Sequence, residues 1–289
     1  MGSGEEHLTR KMEKQFGKGA IKKALRALDG RFATLRENPY AKLKFALYRV
    51  APPRPPAELE LRPYELWVNE VVGTAYAAAT ALGEIENLDA PPREIIEVRP
   101  IYSAFRREEE LVFDWEPIPG AESYAVQLID TVSKRKYPIL RAYPGMRYPT
   151  DDLPTLEPGC EYNLRVQGLS REGSIVGIHI GTFWLLQEKE RQELNFRWNK
   201  LRSVGDKEGF WEAGLFAQFK LYDAALQKFI ALIKLPDTDK QIAGYLGAIN
   251  VWQTLYRELI PIGRVQAAYS ANEEAMRLQA VLRNLLTNK

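Results

Sequence analysis

The chain has 289 residues, 45% hydrophobic and 27% charged, with a formal net charge of +2. This composition excludes a chain that is disordered throughout, and the length allows two or three domains. No apolar run reaches the roughly 18 residues of a membrane helix. The single cysteine, Cys160, excludes an internal disulfide and a multi-cysteine metal site.

Residues 1–38 are predicted to form a basic, amphipathic helical segment. Leu8, Met12 and Phe16 recur at helical spacing. The first 50 residues hold twelve Lys and Arg against five acids, a net charge of +7 that leaves −5 for the remainder. This asymmetry predicts either contact with an anionic membrane or nucleic acid, or docking of the basic segment on the acidic remainder of the chain. The candidate anion-binding residues are Lys14, Lys18, Lys22 and Lys23.

Residues 39–92 are predicted to form a small β-rich unit. Leu43, Phe45 and Leu47 alternate with polar residues, as in a half-buried strand. The sequence APPRPP ends that strand, because proline cannot donate to a sheet ladder. A second proline pair, in APP at 90–92, marks the boundary with the next unit.

Residues 93–187 repeat a pattern of strand, turn and strand, which predicts an antiparallel β-sandwich. In LVFDWEP, the side chains of Leu111, Phe113 and Trp115 share one face of a strand. The turn PIPGAES follows, and Tyr124 opens the next alternating run. We therefore expect Trp115 to lie in the core rather than to form an exposed aromatic platform.

These features resemble a fibronectin type III module over about a third of the chain. In that family a Trp lies on the second strand and a Tyr begins the third, as Trp115 and Tyr124 do here. The resemblance implies that the hydroxyl of Tyr162 bonds to nearby backbone at the start of the sixth strand. The family signature L-x-P-G-x-x-Y is present as Leu156, Pro158, Gly159 and Tyr162.

Residues 188–289 show helical periodicity and resemble a degenerate tetratricopeptide-type repeat. The resemblance implies that Ala225 allows a close helix crossing and that Phe229 fills the seam between helices. Lys220 stands where a glycine usually turns the hairpin, and Pro261 to Gly263 interrupts the second hairpin. The order of the parts also resembles a group of cyanobacterial proteins of unassigned role, which implies a bacterial, non-enzymatic context.

The sequence predicts no catalytic residue, cofactor or metal site. His7 and His179 lack metal-binding spacing, and no nucleophile elbow or dinucleotide fingerprint occurs. If Val176, Ile178 and Ile180 face inward, His179 points to solvent or to a sheet edge. The carboxylate clusters at 108–110 and 151–152 leave acid–base chemistry or calcium binding open as alternatives.

We therefore predict a multidomain α+β protein with units at 1–38, 39–92, 93–187 and 188–289. The predicted function is non-catalytic protein–protein interaction or scaffolding, with Trp184 and Trp211 as candidate partner-binding residues. The alternatives are binding of an anionic membrane or nucleic acid, and a carbohydrate-associated accessory role. Self-association stays open. No signal pattern is present, which favours the cytoplasm, and the periplasm stays open if a leader was removed.

Overall fold

In a computed structural model, which describes residues 91–139, 142–147, 155–204 and 209–287, strands come first along the chain and helices follow. The strands are β1 (Val98–Arg99), β2 (Tyr102–Phe105), β3 (Val112–Trp115), β4 (Ser123–Asp130), β5 (Lys136–Ile139), β6 (Met146–Arg147), β7 (Glu161–Leu169) and β8 (Ile175–Leu185). The helices are α1 (Glu188–Val204), α2 (Phe210–Gln218), α3 (Tyr222–Ile233), α4 (Thr238–Leu259) and α5 (Val265–Thr287). The predicted mixed α+β content is confirmed. The predicted units 1–38 and 39–92 lie outside the described residues, apart from residues 91 and 92.

The strands form two sheets, and the chain passes from one to the other between β1 and β2. The three-stranded sheet has the order β1-β3-β6, and the five-stranded sheet has the order β2-β8-β7-β4-β5. Neighbouring strands are antiparallel except β2 and β8, which are parallel. Gly181 of β8 lies against the Pro100 carbonyl at this crossing, where an added β-carbon would overlap the carbonyl oxygen.

Side chains from both sheets meet in one hydrophobic core. Phe113 and Trp115 of β3 are buried, as are Leu164 of β7 and Phe183 of β8. The Trp115 ring packs edge-on against Tyr124, with 5.3 Å between ring centroids. The prediction that Trp115 is a core residue is therefore confirmed.

The turn between β3 and β4 closes one end of this core. Ile118 is 5% exposed and lies over Gly168 and Gly177, which face each other across β7 and β8. A β-carbon on either glycine would come within 3 Å of the Ile118 side chain. The two glycines therefore form a recess that the turn fills with one aliphatic side chain.

The inward orientation considered for Val176, Ile178 and Ile180 of β8 is wrong. Val176 and Ile178 are exposed, whereas the alternate positions Gly177 and Gly181 face Ile118 and Pro100 on the inner side. His179 shares that inner side, and its Nε2 atom is buried.

Close backbone approaches pack the helices. Gly244 and Gly247 of α4 face α3, and a β-carbon on Gly247 would overlap the ring of Phe229. Phe229 is 1% exposed, so it fills the seam between α3 and α4 as expected. Asp237 caps the N-terminus of α4, because its carboxylate accepts from the amides of Asp239 and Lys240 at 2.9 and 3.2 Å.

Candidate functional site

Strand β2 lies between β8 and α3, and all four of its side chains are buried. The Ala104 amide donates to the carbonyl of Lys220, in the turn between α2 and α3, at 2.9 Å. Lys220 has φ +59°, the left-handed conformation that glycine usually takes at such a turn. The Asp223 amide donates to Ser103 Oγ at 3.3 Å. These bonds hold the first turn of α3 against the strand.

A cavity of about 410 Å³ lies beside this junction, within the size range of small-molecule sites. One wall is the outer face of the three-stranded sheet, with Arg99 and Arg147. The second is Ala104 and Phe105 of β2, and the third is the start of α3, with Asp223 and Gln227. The cavity thus gathers side chains from both sheets and from the helical part.

Asp223 is the buried charge in the cavity wall, since its side chain is only 9% exposed. Its Oδ2 atom has no hydrogen-bond partner among the described residues. Burial raises the pKa of the Asp223 carboxyl to about 6, and the positive charge of Arg99 opposes this rise. A buried carboxylate oxygen normally has a hydrogen-bond partner, so the Asp223 carboxyl is an incompletely satisfied acceptor in a residue that lines the cavity.

The other charges around the cavity are balanced in sign. Arg106 is paired with Glu110, and its guanidinium lies 4.3 Å from the centroid of the Trp198 ring. Arg99 and Arg147 line the cavity without an ion pair to any described residue. Besides Glu110, the described acids that line the cavity are Glu109 and Asp223, and Asp114 lies opposite Arg99 in the pairing of β1 with β3. The site therefore offers both anion-binding and cation-binding groups around one space.

A second polar cluster lies beside β8, where side chains of β7, β8 and the loop after α4 meet Glu97. Burial raises the pKa of Glu97; the charge of Glu116 raises it further, while His179 and Arg264 oppose the rise. Arg264, in the loop between α4 and α5, donates to Asn163 Oδ1 at 3.2 Å and to Thr182 Oγ1 at 3.3 Å. Burial lowers the pKa of Arg264, and Glu97 opposes that effect. The cluster ties the helical part to the five-stranded sheet.

The first half of β8 is an apolar surface at the edge of a sheet. Ile175, Val176 and Ile178 are 53%, 42% and 41% exposed. β2 pairs only with Thr182–Leu185, so no described strand pairs with the outer edge of β8 before that point. Exposed aliphatic side chains therefore lie on a strand edge that pairs with no other strand of the described residues.

The sequence-predicted site residues fall in different places. Trp184 is half-buried and packs edge-on against Tyr102, with 5.0 Å between ring centroids. Trp211 is 5% exposed and packs against Phe210, so it belongs to the helical core. The four candidate lysines of the basic segment, Lys14, Lys18, Lys22 and Lys23, lie outside the described residues.

No protein-family model matches the chain, and no curated protein is significantly similar to it. None of the helices that the structure describes is long and apolar enough to cross a membrane. Within the same residues, no three acidic, histidine or cysteine side chains are grouped so as to hold a metal ion.

Sequence reasoning missed both Asp223 and the β8 edge. An acid in the first turn of a helix is ordinary, because it complements the helix dipole, so Asp223 carried no distinct signal. The edge did carry a signal in Val176 and Ile178, which the orientation considered from the sequence placed facing inward together with Ile180.

Proposed function

We propose that the protein is a non-catalytic interaction or scaffold protein, in which a fibronectin type III-like sandwich carries degenerate tetratricopeptide-like helices. The shared core of the two sheets and the Glu157 amide, which donates to the Tyr162 hydroxyl at 3.0 Å, support the first assignment. Phe229 against Gly247, and Lys220 in the left-handed turn position, support the second.

The observation that carries the proposal is the exposed apolar edge of β8. Soluble proteins normally protect such an edge with charged residues, proline or a bulge, because it pairs readily with another chain. From Ile175 to Ile180 the strand has no acid, lysine, arginine or proline, and three of its aliphatic side chains are exposed. The edge is therefore suited to bind another strand.

The partner that fits this edge is an extended segment of another protein. Such a segment adds a strand to the sheet, with main-chain hydrogen bonds to β8. Its side chains would alternate, and those on the outer face would meet Val176 and Ile178. The partner's segment should therefore be extended and apolar at every second residue.

The contacts between the sheets and the helices support a scaffolding role. Ala104 of β2 bonds to Lys220, and Arg264 bonds to Asn163 of β7 and Thr182 of β8, so the helical part is held to three neighbouring strands of the five-stranded sheet. A strand bound at β8 would consequently stand in a fixed position relative to the helices.

Selection from a random peptide library against the full chain tests this proposal. We expect the binding peptides to alternate apolar residues, and we expect Ile178→Lys to weaken their binding by about tenfold or more, because a lysine would meet an apolar side chain. The matched control is Val132→Lys, at a side chain that is 76% exposed in the turn after β4. Fluorescence anisotropy measures the affinities. Binders with the same affinity for wild type and Ile178→Lys would contradict the proposal.

A further inference from the structure

The cavity between the three-stranded sheet, β2 and α3 has a charge arrangement that the proposed interaction function does not use. Its buried charge is Asp223, and Arg99 and Arg147 lie on the wall that the three-stranded sheet forms. We infer that this cavity binds a small zwitterionic ligand of the amino-acid class, with the ligand's ammonium at Asp223 and its carboxylate at Arg99 and Arg147.

The depth of the charged groups sets the orientation of the ligand. Asp223 is 9% exposed, whereas Arg99 is half-buried and Arg147 is exposed. The ammonium group is therefore placed inside and the carboxylate nearer the opening. Guanidinium groups suit a carboxylate, because they present planar sets of N–H donors.

The balance of charge selects a zwitterion over a simple ion. With Arg106 paired to Glu110, the described residues of the wall retain two cations, Arg99 and Arg147, and two anions, Glu109 and Asp223. A phosphate would meet repulsion from both acids, and a lone cation would meet repulsion from both arginines. A molecule that carries one charge of each sign matches both sets.

The position of Asp223 in the first turn of α3 explains why an acid is tolerated there. It does not explain why one of the two carboxylate oxygens lacks a hydrogen-bond partner. A carboxylate at a helix N-terminus gains from the helix dipole. The Oδ2 atom of Asp223 nevertheless has no hydrogen-bond partner among the described residues and is buried in the cavity wall. The apolar side chains of Ala104, Phe105 and Val112 provide a surface for the rest of the ligand.

The test measures binding of free amino acids to the full chain at pH 7.5. The twenty standard L-amino acids are first compared by thermal shift, and the one with the largest effect is then titrated by calorimetry. We expect at least one to raise the melting temperature. Its N-acetyl derivative and its carboxamide derivative should each bind at least about tenfold more weakly, because each lacks one of the two charges.

Two variants locate the binding in the cavity. Asp223→Asn removes the inner charge, and Arg147→Gln removes an exposed one whose loss leaves the core intact. Each should weaken binding about tenfold or more, while Glu172→Gln, in the exposed turn between β7 and β8, should have no effect. The inference is overturned if no amino acid raises the melting temperature, or if the strongest binder has wild-type affinity for either cavity variant.

Discussion

The carbonyl oxygen of Pro100 occupies the space beside Gly181 where any other residue would place its β-carbon. This contact lies where the chain leaves the three-stranded sheet at β1 and enters the five-stranded sheet at β2. The parallel pairing of Tyr102 with Thr182 begins directly after it. The crossing between sheets therefore depends on the absence of one side chain.

Gly181→Ala should lower the free energy of unfolding by about 3 kcal/mol, because the new methyl group forces the Pro100 backbone away from β8. The matched control is Gly214→Ala in α2, where an added β-carbon meets nothing within 4 Å. The control should be neutral or stabilising by up to about 1 kcal/mol, since alanine favours a helix. Urea unfolding measures both, and equal effects would contradict this account of the crossing.

The seam between α3 and α4 should show strong coupling between Phe229 and Gly247. Gly247→Ala should destabilise the protein by about 2 kcal/mol, because the methyl group overlaps the Phe229 ring. Phe229→Leu should cost less in the Gly247→Ala background than in the wild type, because the smaller side chain makes room for the methyl group. A double-mutant cycle in urea measures the coupling, and additive effects would exclude the close contact.

The buried Asp223 should make stability fall as the pH rises from 4 to 7.5. Its pKa in the folded state is raised to about 6, so the folded protein holds more protons than the unfolded chain in this range. By linkage, the carboxyl contributes a stabilisation that is present at low pH and is lost as the pH rises through 6. Two pKa units correspond to about 3 kcal/mol.

Asp223→Asn has no such titration. Between pH 4 and pH 7.5, its free energy of unfolding should therefore rise by about 3 kcal/mol relative to that of the wild type. Urea unfolding at the two pH values measures the difference. Asp130→Asn is the control, at an exposed turn where hydrogen bonds from Ser133 lower the pKa instead. Parallel pH profiles for wild type and Asp223→Asn would show that the carboxyl is not buried as described.

Arg264→Met should raise the pKa of Glu97 further, because the arginine is one of the two charges that oppose the rise. The carboxyl carbon resonance of Glu97, followed by NMR against pH, measures the change. Arg171→Met, in the exposed turn after β7, is the control and should leave that pKa unchanged. An unchanged Glu97 titration in Arg264→Met would remove Arg264 from the cluster.

Sequence patterns predicted the strands and helices correctly where the element's own apolar side chains fill the interior. The alternation of Leu111, Phe113 and Trp115 placed the core face of β3 correctly, and all three side chains are buried. Helical periodicity likewise predicted the helices after residue 188. In these segments the apolar residues themselves fill the interior, so the pattern of hydrophobicity is the pattern of burial.

The orientation of β8 could not be predicted from its hydrophobic pattern, because other parts of the chain occupy the space on its inner side. Gly177 and Gly181 supply no side chain, and the space is taken by Ile118 and by the Pro100 carbonyl. The aliphatic residues at the alternate positions then look like a core face although they are exposed. Contacts between residues far apart in sequence, such as Ile118 with Gly177, decide the outcome.

The cavity could not be predicted from the sequence for the same reason. Arg99, Arg147 and Asp223 are separated by long stretches of sequence and come together only when α3 packs beside the sheets. Each is unremarkable in its own segment, as an arginine on an outer strand face or an acid at a helix start. They form a candidate binding site only because Asp223 is buried in the folded chain.

Hydrogen–deuterium exchange of the β8 amides, with and without a selected peptide bound, tests the interaction proposal most directly. We expect the peptide to slow exchange at residues 175–180, because main-chain hydrogen bonds form along that edge. Unchanged exchange in β8, with protection at another surface, would contradict the proposal.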